Sequence, residues 1–205
     1  MSSCKLSVLV PSTYNREIQT EILLHRLRKM FKPYDAEVVV CYDNKEMSIG
    51  AKRQKMLEEA NGEYVVSIDS DDDVKDYYAD ELFKAFENNP DCVGFEIEVK
   101  GMRGKLASAS NMWPRWENKR VKHKARRYDY TRTPYHKTPI KREIALQIGF
   151  PDKRYAEDID FSNRLKESGL IKTELYIQKP MYIYKYEYED KNTKYGYDRD
   201  GLNTE

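Results

Sequence analysis

Along the first hundred positions, apolar residues fall into runs that alternate between two periods. "KLSVLVP" is a short continuous apolar run closed by the polar turn "STYN", as a buried strand would be. "REIQTEILLHRLRKMF" places Ile18, Ile22, Leu23, Leu27 and Met30 at helical spacing, and Pro33 stops it. "AEVVVCYDN" is a second, Val-rich strand that runs out at Asp43 and Asn44. "SIGAKRQKMLEEANG" predicts a turn and a helix with Ala51, Met56, Leu57 and Ala60 inward and Gly62 beyond its end. "EYVVSID" is a third strand, "VKDYYADELFKAFENNP" a third helix closed by Pro90, and "DCVGFEIEVKG" a fourth strand.

Continuous apolar strands joined by helices imply an α/β fold with a mostly parallel central sheet and helices on both faces. Ligands of such sheets bind beyond the carboxyl ends of the strands. Three of those ends are polar here, at 13–15, 43–44 and 69–73, and they converge on one rim. The second half is less regular. Residues 103–133 show no apolar period. "TPIKREIALQIGF" reads as a strand then a helix, and "YAEDIDFSNRLKESG" as a helix with acids at its start and Gly169 at its end. "LIKTELYIQKPMYIYKYEYED" alternates like a half-buried strand, and the end of the chain is polar.

The 205 residues are 40% hydrophobic and 35% charged, which suits one domain with a sizeable core. No apolar run approaches the ~20 residues of a membrane helix, and "MSSCKLSVLVPSTYN" lacks a signal-peptide pattern. The expectation is a cytoplasmic protein without a membrane partner, with Cys4, Cys41 and Cys92 as free thiols. The net charge of +1 hides an asymmetry. Residues 103–141 hold twelve Lys or Arg against Glu117 and Asp129, a net +10, while the remainder is −9. A basic segment on an acidic body points to an anionic partner.

Chemistry concentrates in "SIDSDDDV", where Asp69, Asp71, Asp72 and Asp73 follow an apolar run. Two carboxylates at i and i+2 on a strand-to-loop junction can share a hard cation such as Mg2+ or Mn2+. A helix cap accounts for one of the four, and Asp73 is placed in that role, but it leaves Asp69 unexplained.

With "LSVLVPSTYN", "VVVCYDN", "SIGAKRQKMLEEANGEYVVSIDSDDDV" and "YAEDIDFSNRL" in this order, the sequence resembles family 2 glycosyltransferases, which have the GT-A fold. The resemblance spans roughly residues 5–184. It implies a single domain over 1–190, with a nucleotide-sugar half at 5–100, an acceptor half at 101–190 and a polar tail at 191–205. It also implies a nucleotide-sugar donor (most simply a UDP-sugar), Mn2+ or Mg2+, and transfer with inversion. By the same resemblance Pro11, Thr13, Tyr14, Asn15 and Arg16 form the first donor loop. Asp43 contacts the base, while Gly50, Lys52 and Arg53 lie beside the donor. Asp69 and Ser70 face the donor, Asp71 takes the metal with Asp69, and Asp72 is a further metal candidate. Glu157 and Asp158 match the family's "ED" motif, with Asp158 as the base and Glu157 positioning the acceptor. Many relatives have a histidine near the C-terminal end; "MYIYKYEYEDKN" has none, and Lys185 could contact phosphate instead.

The basic segment interleaves cations with Trp113, Trp116, Tyr128, Tyr130 and Tyr135. Cations on phosphates and rings on bases are how proteins hold nucleic acid. The expectation is an acceptor site involving Trp113, Trp116, Arg126, Arg127, Tyr135 and His136. Its acceptor leans to a hydroxymethylated pyrimidine in DNA, as in viral DNA modification, which would place the protein in a host cytoplasm. A glycan or other envelope acceptor is the alternative. A nucleic-acid-binding module without catalysis would leave the two acidic motifs idle, and nucleotidyl transfer would want a glycine in "VPSTYNRE".

Overall fold

The structure, a computed structural model, describes residues 4–101, 105–115, 117 and 120–185. β1 (Cys4–Pro11) lies between β2 (Ala36–Cys41), at one edge of the sheet, and β3 (Gly62–Ser67), and is parallel to both. The register pairs Val8 with Val38 and with Val66, so branched side chains stack across the three strands. β5 (Cys92–Lys100) runs parallel to β11 (Glu174–Lys185). The short β10 (Ile140–Lys141) lies between β3 and β5, antiparallel to both, and joins the two halves of the sheet. β4 (Asp73–Val74) closes the far edge against β11.

Helices cover both faces. α1 (Glu17–Phe31) and α3 (Tyr78–Phe86) pack over one apolar cluster that includes Leu24, Leu27, Tyr78 and Phe95. α2 (Ile49–Glu59), α4 (Arg142–Ile148) and α5 (Glu157–Ser168) pack over a second, with Met56, Leu57, Ile140 and Phe161. Residues 103–133, without a period in the sequence, supply short strands. β6 (Lys105–Ala109) pairs with β5 and with β9 (Tyr130–Arg132), while β7 (Val121–His123) and β8 (Arg126–Tyr128) form a separate hairpin. No helix among the described residues is long and apolar enough to cross a membrane.

Two expectations change. α1 buries Thr20, Leu23, Leu24, Leu27 and Phe31, whereas Ile18 and Ile22 are 82% and 68% exposed. The spacing Leu23–Leu27 and Leu24–Leu27 carries the inward stripe, and the two isoleucines lie outside it. Asp73 is no helix cap: it belongs to β4, Arg26 takes its carboxylate, and α3 begins later without a side-chain cap.

Candidate active site

Each polar strand end is held by a buried cation. At the end of β1, Ser12 is buried and Tyr14–Arg16 form a 3-10 turn whose Tyr14 amide donates to the Asp43 carbonyl at 3.1 Å. Pro11, the last residue of β1, is paired with Cys41 at the end of β2. Thr13 and Asn15 hydrogen-bond each other, and the Tyr14 ring stacks on Tyr42 at 5.6 Å. Lys52, on α2, donates to the Ser12 carbonyl at 2.5 Å and to the Asp43 carboxylate, clamping the ends of β1 and β2 together. Burial opposes ionisation of Asp43, but the bond from Lys52 wins and lowers its pKa. Gly50, in the first turn of α2, lies so close to the next loop that a Cβ would meet the Pro151 carbonyl at 1.9 Å.

Asp69, just beyond β3, is the hub. Its Oδ1 accepts Arg53 Nη2 at 2.8 Å, and its Oδ2 lies 2.9 Å from Lys137 Nζ and 3.3 Å from His136 Nε2. Burial alone would neutralise this carboxyl; Arg53 and Lys137 outweigh it and hold Asp69 well below the ordinary carboxylate range. An ionised Asp69 can only accept, so His136 Nε2 carries the hydrogen and Nδ1 is the bare nitrogen. Burial, reinforced by Arg53, lowers the His136 pKa to about 4, so the ring is neutral at physiological pH. Its Nδ1 is buried without a partner and lies 4.0 Å from Asp158 Oδ2.

Asp158 and Glu157 open α5. They follow Ala156, which adopts a left-handed conformation at φ 58. That backbone is costly for any residue with a side chain, a cost found where a site needs a fixed geometry. The turn sends Glu157 to Arg53 Nε at 3.2 Å and Asp158 to Arg132 Nη2 at 2.9 Å. Glu157 is thus an anchor for Arg53, and burial raises its pKa. Burial also opposes ionisation of Asp158, but Arg132 overrides it and brings the pKa to about 2. Arg53, Asp69, Arg132, Tyr135, His136 and Asp158 all line one cavity of about 540 Å³.

The four aspartates divide. Asp72 turns inward: Lys137, the Tyr182 hydroxyl at 2.8 Å and the Lys185 amide at 2.9 Å saturate it, so it is not free to ligate a metal. Ser70 is buried between its neighbours. Asp71 faces solvent in an exposed pair with Arg16 at 2.7 Å. Among the described residues no group of three or more His, Cys, Asp or Glu forms a metal cage. Mg2+ commonly rests on one or two carboxylates plus substrate phosphates. Asp71 fits that pattern, because an exposed ion pair is weak and readily given up. Asp69 has both oxygens committed to cations.

Of the residues expected to hold the acceptor, Tyr135 and His136 line the cavity, while Trp113 does not. Trp113 is buried behind the wall, donating through Nε1 to Ser108 Oγ at 2.9 Å, with no ring face left for a base. Trp116 lies outside the described residues. Arg126 and Arg127 are exposed on the β7–β8 hairpin. Lys185 Nζ sits 3.6 Å from Asp73. The sequence reading missed Arg132 and Lys137, two cations of a basic segment that offered nothing to single them out.

The profile of glycosyl transferase family 2 matches residues 20–146. The chain belongs to glycosyl transferase family 2. Family 2 membership and the fold agree with solved structures. S. aureus TarS 1-349 in complex with UDP-GlcNAc superposes with a TM-score of 0.63 at 18% identity, over 91% of this chain and 60% of that one. The complex of TarS 1-349 with UDP gives 0.62 at 19% identity, over 89% and 60%. A further structure of S. aureus TarS gives 0.61 at 18%, over 89% and 37%. The fold is GT-A, and this family 2 chain spans about 60% of the TarS 1-349 structures. No curated protein sequence matches it.

Proposed function

We propose that the chain transfers a sugar from a nucleoside-diphosphate donor, a UDP-sugar, to an acceptor hydroxyl with inversion. One observation carries the reading: Asp69 from the first half and Asp158 from the second face the same buried His136 across one cavity. Asp69, Arg53 and the 11–16 turn make the donor side; Asp158, Arg132 and Tyr135 make the acceptor side. The acceptor O–H gives its proton to Asp158 as its oxygen attacks the anomeric carbon, and the diphosphate leaves with the bonding electrons. Base catalysis of this kind contributes about 10²–10⁴ in rate. A divalent ion held at Asp71 would supply positive charge for the leaving diphosphate. Support for a UDP-sugar comes from the TarS complexes with UDP-GlcNAc and UDP.

The acceptor reading favours a hydroxymethylated pyrimidine in DNA. Its support is the β7–β8 hairpin, whose Lys122, Lys124, Arg126 and Arg127 are exposed three to eight residues before β9 enters the cavity wall. The test is release of UDP from a panel of UDP-sugars with Mn2+, with and without hydroxymethylated DNA. Asp158→Asn is expected to keep UDP-sugar affinity within about twofold and to lose about 10²–10⁴ in transfer. Normal turnover by Asp158→Asn would remove the base, and pyrophosphate release from nucleoside triphosphates would remove the reaction class.

A further inference from the structure

Asp158 is masked in the state the structure holds. Its Oδ1 accepts the Ile159 amide at 2.9 Å, and its Oδ2 accepts Arg132 Nη2 at 2.9 Å. A carboxylate lowered to about 2 from 3.8 is a base weakened by roughly a hundredfold. The same guanidinium has chemistry to spare. It lies 3.9 Å from the centroid of the Tyr135 ring, a face along which it can slide. Its Nε is buried with no partner, and so is Nη1 of Arg53. Both arginines line the 540 Å³ cavity, and each keeps one buried N–H without an acceptor in this arrangement of side chains. Buried donors are costly to leave unmade, so the Arg132 guanidinium gains from a shift that brings its Nε an acceptor oxygen.

We propose that Arg132 is a latch on Asp158, opened by an anionic group that the acceptor carries beside its nucleophilic hydroxyl. The inference rests on the transfer reading above, with Asp158 as base. Only another anion can compete for Arg132, because a charge-assisted bond is about twice as strong as a neutral one. Ile97, Val99 and Ala107 form an apolar part of the cavity wall, which sharpens the contest. A phosphate ester or a carboxylate draws the guanidinium away and frees Oδ2 for the hydroxyl proton. Without it the base stays masked, so a water molecule in the cavity is not activated and the donor is not hydrolysed. Arg132 is here a positioning residue with a specificity role: it selects acceptors by a charge that lies outside the bond being made.

The probes are glycerol 3-phosphate, glycerol and UDP, added to the full chain at neutral pH while the Asp158 carboxyl ¹³C resonance is followed by NMR. Glycerol 3-phosphate is expected to move that resonance to the position it holds in Arg132→Gln, and to bind Arg132→Gln about tenfold more weakly or worse. Glycerol and UDP are expected to leave the resonance in place, and no probe should move it in the variant. An unmoved resonance with glycerol 3-phosphate overturns the latch. An equal response to UDP also overturns it, because Arg132 would then serve the donor's diphosphate. A response that persists in Arg132→Gln overturns it as well, and if that variant does not fold the wild-type series decides. None of these readouts needs turnover, so absence of transfer with every UDP-sugar would count against the reaction and leave the latch to be judged by itself.

Discussion

His136 is neutral because burial, with Arg53 beside it, lowers its pKa from 6.5 to about 4. In the unfolded chain it takes up a proton through the ordinary range, so between pH 6.5 and about 4 the unfolded state binds more protons than the folded one. Stability is therefore present above that window and falls as pH drops through it, by roughly 3 kcal/mol in full. Urea denaturation at pH 7, 5.5 and 4.5 should show a smaller loss in His136→Gln than in the wild type; equal losses would sink the argument. The acidic cluster divides just as sharply. Asp72→Ala strands Lys137 in the interior with Asp69 alone, and should cost roughly 3 kcal/mol. Asp71→Ala removes only an exposed pair, so its melting temperature should stay near wild type while metal-dependent UDP binding weakens. Calorimetry on the two variants, with UDP and Mn2+ added, separates them; equal destabilisation would contradict the division. Asp69 and Asp158 were legible in the sequence because motif order marks them. Arg132 and Lys137 were not, since pairing across the fold, invisible to local spacing, is what makes them matter.

At the scale of elements, strands and helices were legible wherever one period ran for a full element, as in "LSVLV" and "EYVVS". The misread face of α1 shows the limit: Ile18 and Ile22 are apolar and four apart, yet the sheet lies under Leu24 and Leu27. β6 to β9 were not legible, because strands of three to five residues hold no period and depend on partners far along the chain. Gly50, expected beside the donor, also has a packing role that the sequence did not show. Its missing side chain lets the start of α2 abut the loop before α5, with its amide donating to the Lys153 carbonyl at 3.1 Å. A Cβ cannot fit 1.9 Å from the Pro151 carbonyl, so Gly50→Ala must drive α2 from that loop. Because α2 carries Arg53 and α5 carries Glu157 and Asp158, the shift reaches the site. The expected outcome is a stability loss of roughly 1–3 kcal/mol and a larger fractional loss of transfer. Wild-type melting and turnover in Gly50→Ala would show that the loop yields freely.

Across the whole molecule, the charge asymmetry read from composition acquires a location. The basic segment holds two buried or half-buried cations that serve the site, Arg132 and Lys137, a third, Lys141, that pairs with Asp91 away from it, and a hairpin whose Arg126 reaches the buried Glu96 while Lys122, Lys124 and Arg127 are exposed. Composition counted both groups together; only the fold separates cations that neutralise buried carboxylates from cations left for a partner. The hairpin continues through Asp129 into β9, and β9 ends at Arg132 in the cavity wall. An anionic polymer lying on Lys122, Lys124 and Arg127 would thus lead toward the cavity. Replacing these three by Gln leaves the described carboxylate partners of the site untouched. For a duplex DNA acceptor, each lost phosphate contact removes about 0.9 from the slope of log K against log salt. The triple variant should therefore bind hydroxymethylated DNA with a slope shallower by up to about 3, and weaker at low salt, while UDP-sugar affinity stays unchanged. Fluorescence anisotropy with labelled DNA across a salt series measures the slope directly. A slope equal to wild type would mean that the hairpin does not touch phosphates, and would return the acceptor question to small or neutral hydroxyl compounds. A change confined to UDP-sugar affinity would assign the same cations to closure over the donor.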